Sequence, residues 1–175
     1  MNAFRNSLFF VISIFFVIAC GPGKEERRTT DMQELRKTLE AANRILLEVE
    51  KQEIKDFIER HGWNMSETGT GLWYQVYRFG SGRQTSQGDV AVIHYSIHLL
   101  TGDLVYSSEG KQPREFRIGR GGVEPGLEEG ILLMRQGDKA RFIMPSHLAH
   151  GLPGDGAKIP ARATIIYNVE LVELH

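Results

Sequence analysis

Hydrophobic and polar positions along the chain change period several times, and each change marks an element. Leu35, Leu39, Ala42 and Leu46 recur at helical spacing, Val49 follows, and Ile54, Phe57 and Ile58 form a second stripe beyond the polar patch Glu50 to Glu53. This predicts helix over Asp31 to Arg60, either one long rod or two with a break near Glu50. Thr30 or Asp31 supplies an N-cap, Gln33 or Glu34 completes a capping box, and His61-Gly62 ends the segment. The stripe needs a partner, either the following domain or a second copy of the chain paired through residues 31–60.

From Thr68 onward the period falls to two. Leu72 to Tyr77 is aromatic and branched, and Gly80-Ser81-Gly82 breaks it. In Asp89 to Leu100, Ala91, Ile93, Tyr95 and Ile97 alternate with Val92, His94, Ser96 and His98. Thr101-Gly102-Asp103 reads as a hairpin turn, with Leu104 to Ser107 running back. Phe116 and Ile118 mark another strand. Ala140, Phe142 and Met144 alternate with Lys139, Arg141 and Ile143 until Pro145 stops them. The last strand, Ala163 to Leu174, sets Ala163, Ile165, Tyr167, Val169 and Leu171 against Thr164, Asn168 and Glu170. Between these strands lies a short amphipathic helix, Val123 to Met134. Pro125 suits its first turn, Leu127, Ile131 and Met134 share one stripe, and Gly137 is its stop signal. Gly130 inside a helix costs about 1 kcal/mol relative to Ala, so it implies close approach to something flat, such as a sheet. The expected fold is α+β: an antiparallel, curved sheet of five to six strands wrapped around one short helix, preceded by an N-terminal helical segment. The loop from Gly151 to Pro160 is too long for a tight turn and points to function.

The N-terminus follows a different pattern. Arg5 precedes an apolar run, Leu8 to Ala19, which is shorter than the ~20 residues that span a bilayer and fits an export signal. Val17-Ile18-Ala19-Cys20 resembles the bacterial lipobox, and Cys20 is the only cysteine. That resemblance implies cleavage before Cys20, lipidation there and anchoring in the cell envelope, on the periplasmic face of the outer membrane; several acyl chains give stable attachment. Lys24-Glu25-Glu26 also resembles the acidic tags of surface lipoproteins, against the plain alternative of a solvated tether. The expected organisation is signal peptide 1–19, tether 20–30, helical segment 31–62 and main domain 68–175. The chain has 175 residues, 41% hydrophobic and 25% charged, with net charge −1. That balance argues against nucleic acid as a partner.

Candidate chemistry is sparse. There is no Gly-x-Ser-x-Gly elbow for a serine hydrolase, and Gly119-Arg120-Gly121-Gly122 lacks the spacing of a nucleotide loop. His94 with His98, or His147 with His150, has metal-ligand spacing, but no nearby carboxylate or thiol completes a set, and His94 suits a hydrogen-bonded place on the outer sheet face. No metal and no cofactor is expected. What remains is an apolar cavity offered by Tyr95, Tyr167, Val123, Leu127 and Ile159, suited to a proline ring and its amide.

Ala91-Val92-Ile93-His94-Tyr95, Phe116-Arg117-Ile118-Gly119, Val123 to Gly130, Met134, Gly137-Asp138, Pro145, Ala149-His150-Gly151, Ile159-Pro160, Ala163-Thr164 and Val169-Glu170-Leu171 follow the order and spacing of a known family. From Gly71 to His175 the chain resembles the FKBP-type peptidyl-prolyl cis-trans isomerases. The signal, the helical segment and the arm Trp63-Asn64-Met65 resemble the family's bacterial lipoprotein branch, including gliding-motility-associated members. The resemblance implies isomerisation of Xaa-Pro bonds in exported, proline-containing clients. It gives Tyr95, His150 and Tyr167 the central roles, and makes Val105, Tyr106, Phe116, Val123, Glu124, Leu127 and Ile159 the substrate-binding wall. The backbone N–H groups of Glu124 and Ile159 match its carbonyl anchors. Four positions depart from its pattern: His150 replaces a tyrosine, Tyr106 an aspartate, Val105 a phenylalanine and Leu127 a tryptophan. They imply a looser, less aromatic pocket. A second reading keeps the scaffold as a non-catalytic folding helper or assembly factor, with gliding or secretion machinery as one setting.

Overall fold

The computed structural model describes residues 23–175, with side chains from residue 31 onward. The expected signal peptide and Cys20 lie outside the described residues. The chain divides into two compact units, residues up to Leu46 and Leu47–His175.

Helix α1 is assigned continuously over Gly23–Arg60, with no break near Glu50. Its start corrects the predicted cap at Thr30 or Asp31. Lys24 to Arg28 are charged, straight-chain residues that lose little freedom in a helix, so nothing in the expected tether stops it. In the first unit Leu35, Leu39 and Leu46 are exposed. In the second unit Ile54, Phe57 and Ile58 are buried against the main domain. Gly62, at φ 63°, closes the helix as predicted. Its N–H reaches the Glu59 carbonyl at 3.0 Å, and the Trp63 N–H reaches Ile58 at 3.1 Å.

Seven antiparallel strands follow: β1 (Ser66–Glu67), β2 (Trp73–Arg78), β3 (Val90–Leu99), β4 (Leu104–Ser107), β5 (Arg114–Arg117), β6 (Lys139–Met144) and β7 (Ile165–Leu174). The sheet order is β1-β2-β6-β7-β3-β4, with β5 also paired to β3. Two-residue β1 is the strand the sequence pattern did not reveal. The β3–β4 hairpin turns where predicted, with Gly102 at φ 94°.

Helix α2 (Pro125–Ile131) lies on the inner face. It is shorter than predicted and does not end at Gly137. Beyond Ile131 the chain tightens into i→i+3 turns, Leu132 to Glu129, Leu133 to Gly130 and Met134 to Ile131. The buried Thr85 hydroxyl donates to the carbonyls of Ile131 and Met134 at 2.8 and 3.0 Å and finishes the end. Leu127, Ile131 and Met134 are fully buried, as the stripe required. A Cβ on Gly130 would sit 2.8 Å from the Phe142 ring, so the flat neighbour is β6.

The sheet has two apolar faces. Inside, Ile93, Ile97, Phe142, Met144, Ile165, Tyr167, Val169 and Leu171 join α2 in one cluster. Outside, Ile143 and Ile166 pack with Ile54, Phe57 and Ile58 of α1, flanked by Trp63 and Met65. The Arg141 guanidinium lies 3.6 Å from the Trp63 ring centre, sealing that edge by cation–π stacking. Full burial of each large apolar side chain is worth about 1.5–3 kcal/mol.

Candidate active site at the helix and loop

The site sits where α2, β3, β5, β7 and the β6–β7 connection converge. Tyr95 on β3 and Tyr167 on β7 occupy the inner face by strand parity, and their ring centres lie 5.5 Å apart at 36°. Leu127 on α2 is fully buried, and Ile159 and Val105 are nearly so; Val123 is half-buried at the helix entry. Tyr167 is also fully buried, and its phenol is held above its ordinary value of 10.0, first by burial and then by the nearby Glu124 carboxylate.

The loop leading into α2 is fixed by a side chain from the helix itself. Glu128 accepts from the N–H groups of Gly119 and Gly121 at 2.7 and 3.0 Å. Those glycines adopt φ 80° and 72°, the left-handed region that glycine enters without steric cost. Glu124 is the N-cap residue, with extended backbone, and Pro125 follows at the first helical position. Among the described residues nothing accepts from the Glu124 N–H.

The expected wall is amended at two points. Phe116 is buried in the inner cluster opposite Ala91, and the β5 side chain that reaches Tyr167 is Arg114, two residues earlier on the same face. Arg114 Nη1 donates to the Tyr167 hydroxyl at 3.3 Å, and Nη2 donates to the Gly122 carbonyl at 2.9 Å. The second correction concerns Ile159. Its N–H is already bonded at 2.8 Å to Asp155, whose carboxylate also takes the Ala157 N–H and the Tyr106 hydroxyl. Tyr106 thus closes the β6–β7 loop against β4. That bond, foremost, holds the Asp155 carboxyl down at about 2, and it raises the Tyr106 phenol.

A polar group completes the wall. The Glu124 side chain is 8% exposed; one oxygen lies 3.4 Å from His150 Nε2 and the other 3.8 Å from Arg114 Nη1. Neither Glu124 Oε2 nor His150 Nε2 makes a hydrogen bond. The Nε2 of His150, the residue that stands in place of the family's tyrosine, thus lies against Glu124. Arg114, Asp155 and the Glu124 carboxylate are what sequence reasoning missed. Only Arg114 carried a signal, since it shares the parity of Phe116.

The histidine pairs do not form a metal set. His94 Nδ1 lies 3.2 Å from Ser108 Oγ on the outer face, and His147 Nε2 lies 3.0 Å from the Thr70 carbonyl. Among the described residues no three His, Cys, Asp or Glu side chains cluster. Asp138 of the Gly137-Asp138 motif is structural: buried, it accepts from the N–H groups of Gly80 and Arg135 at 2.6 and 2.7 Å.

An antiparallel sheet packed on one short helix, with the Tyr95 and Tyr167 rings paired at their junction, defines the class. The sequence profile of FKBP-type peptidyl-prolyl cis-trans isomerases matches residues 81–172, more than half of the chain. The chain belongs to this family of isomerases. It is 32% identical over 168 residues to the FKBP-type peptidyl-prolyl cis-trans isomerase FkpA of Aeromonas hydrophila, covering 88% of this chain and 61% of that protein. It is 34% identical over 122 residues to the FKBP-type 22 kDa peptidyl-prolyl cis-trans isomerase of Escherichia coli, covering 69% of this chain and 57% of that one. The chain thus spans less than two thirds of the length of these relatives. The crystal structure of FkpA from Escherichia coli superposes with TM-score 0.63 at 27% identity, over 89% of this chain and 74% of that chain. That of AtFKBP13 superposes with TM-score 0.61 at 29% identity, over 64% of this chain and 99% of that chain.

Proposed function

We propose that this chain catalyses cis-trans isomerisation of Xaa-Pro bonds in exported polypeptides. The observation that carries the proposal is the facing pair Tyr95 and Tyr167 over the buried Leu127, beside the uncommitted N–H of Glu124. Rotation about the amide has a barrier of ~18–20 kcal/mol because resonance is lost. A twisted amide is less dipolar than a planar one. An apolar hollow that excludes water therefore favours the twisted state over the ground state, and each ~1.4 kcal/mol of that preference is tenfold in rate. Tyr95, Tyr167, Leu127, Ile159 and Val123 receive the prolyl ring. The Glu124 N–H holds the carbonyl before it. With the Ile159 N–H bonded to Asp155, this reading needs a single main-chain anchor. A proline-tetrapeptide assay tests it: catalysis above the spontaneous rate supports it, and its absence returns the chain to the reading of a non-catalytic folding helper. The polar wall of Arg114, Glu124 and His150 is the observation that favours that second reading.

The cellular setting belongs to the same proposal. Lipidation at Cys20 anchors the chain in the envelope, on the periplasmic face of the outer membrane, as in the lipoprotein branch with its gliding-motility-associated members. Metabolic labelling with a fatty acid, lost in Cys20→Ser, tests the anchor. The exposed stripe Leu35, Leu39 and Leu46 is covered by a second copy of the chain, and sedimentation with and without residues 31–46 tests that pairing.

A further inference from the structure

Glu50 stands in the polar patch of α1, where a solvated face is the expectation. It is buried instead, next to exposed Gln52 and Glu53. Its carboxylate accepts three hydrogen bonds. Oε1 takes the Ser146 N–H at 2.6 Å and the Thr164 hydroxyl at 2.8 Å, and Oε2 takes the Ser146 hydroxyl at 3.2 Å. A buried carboxylate is costly unless so satisfied, and bonds to a charged acceptor are the stronger kind.

What the partners have in common is their place in the chain. Ser146 is the first residue after Pro145 ends β6, and Thr164 is the last before β7 begins. They are the two feet of one connection. The connection is pinched again higher up, where the Gly151 N–H reaches the Ser146 carbonyl at 2.7 Å and the Arg162 N–H reaches the Gly151 carbonyl at 3.0 Å. Arg162 sits at φ 57°, a backbone angle that a non-glycine residue adopts only when its surroundings enforce it. Beyond the pinch lie Asp155 and Ile159, and His150 stands just below it, next to Gly151. Among the described residues no other side chain bonds both feet.

The structure assigns Glu50 the role of a positioning residue for the prolyl site. A carboxylate on α1 clasps both feet of the loop and so sets where His150 meets Glu124 and where Ile159 enters the pocket. The effect on turnover rests on the isomerase reading above, whereas the effect on loop order does not. Removing the carboxylate leaves the Ser146 and Thr164 donors buried and unpaired, so the feet spread toward water. Because the loop frames the hollow and Tyr95 and Tyr167 are untouched, the loss falls on substrate binding.

The test uses the full-length chain in mild detergent, as wild type, Glu50→Ala, Glu50→Gln and Thr164→Val. It reads kcat and KM separately on a Leu-Pro tetrapeptide, and amide hydrogen exchange over 146–164 against β3 and β7. Glu50→Ala is expected to speed exchange within 146–164 by about tenfold while β3 and β7 stay protected. It is expected to raise KM about fivefold with kcat little changed. Thr164→Val removes one foot and gives the same signature at smaller size. Glu50→Gln keeps an acceptor oxygen and recovers part of the loss. If exchange in 146–164 is unchanged, or rises equally across the sheet, Glu50 is an ordinary stabilising contact and the assignment falls. A loosened loop with unchanged KM overturns the link to binding. Should Glu50→Ala fail to fold, Thr164→Val decides by the same criteria. If the wild type shows no turnover, the isomerase reading fails, and the exchange comparison still decides the clasp.

Discussion

The two faces of the sheet are both greasy, and they do different work. The inner face, closed by α2, holds Tyr167 and Leu127, which belong to the core and form the wall of the proposed pocket. The outer face, closed by the last turns of α1, holds Ile143 and Ile166 against Ile54, Phe57 and Ile58, and also carries an open cavity of about 530 Å³ lined in part by His94, Ser96, Asn168 and Glu170. On the proposed reading, equal burial does not mean equal function. The inner cluster is interrupted by a wall of backbone and polar groups, where Glu124, His150 and Arg114 stand, and the outer one is sealed by Trp63 and Arg141.

The sharpest way to break this comparison is to cut one large ring from each face. Tyr167→Ala should cost about 3–5 kcal/mol in denaturant unfolding and also remove isomerase turnover from the molecules that remain folded. Phe57→Ala should cost about 3 kcal/mol and leave kcat/KM of the folded protein unchanged. Loss of turnover in Phe57→Ala, measured well below its unfolding midpoint, would put catalytic weight on the outer face. Gly130→Ala probes the closest inner approach. The new methyl meets the Phe142 ring at 2.8 Å, so overpacking of about 1–3 kcal/mol outweighs the helix-propensity gain of about 1 kcal/mol. A stabilised variant in chemical denaturation would show that the contact yields.

Two titrations refine the picture further. The buried Tyr167 phenol keeps its proton more firmly in the folded state than its ordinary value of 10.0, so its contribution to stability is complete below that value and fades as pH rises past it. Unfolding free energies measured on either side of pH 10 should fall, and less steeply in Tyr167→Phe. Asp155 has the opposite sign. Its carboxyl is held down at about 2, below the ordinary 3.8, so its bonds to Tyr106, Ala157 and Ile159 persist above 3.8 and fade as pH falls toward 2. An NMR titration of that carboxyl should show the low midpoint, and Tyr106→Phe should raise it.

Strand alternation made most of the fold legible. Residues in β3, β6 and β7 declare their faces by parity, and the stripe of α2, together with its glycine, declared a helix pressed on a sheet. Short or uncapped elements were not legible: β1 has two residues, and the start of α1 lies among residues equally content in tether or helix. At the site, the apolar members could be read because burial demands their type. Asp155 and Glu50 could not, because a charged residue reads as solvated until a partner is seen, and Arg114 offered only its strand parity with Phe116. Glu50 finds its partners 96 and 114 residues away, far beyond any local pattern.

The measurement that bears most directly on the central claim is a coupled proline-tetrapeptide assay on the chain lacking its first 20 residues, wild type beside Tyr167→Ala and Tyr95→Ala. The account predicts relaxation faster than the spontaneous rate for wild type and a marked loss in both variants. Wild-type relaxation at the spontaneous rate, or catalysis indifferent to both tyrosines, would contradict it.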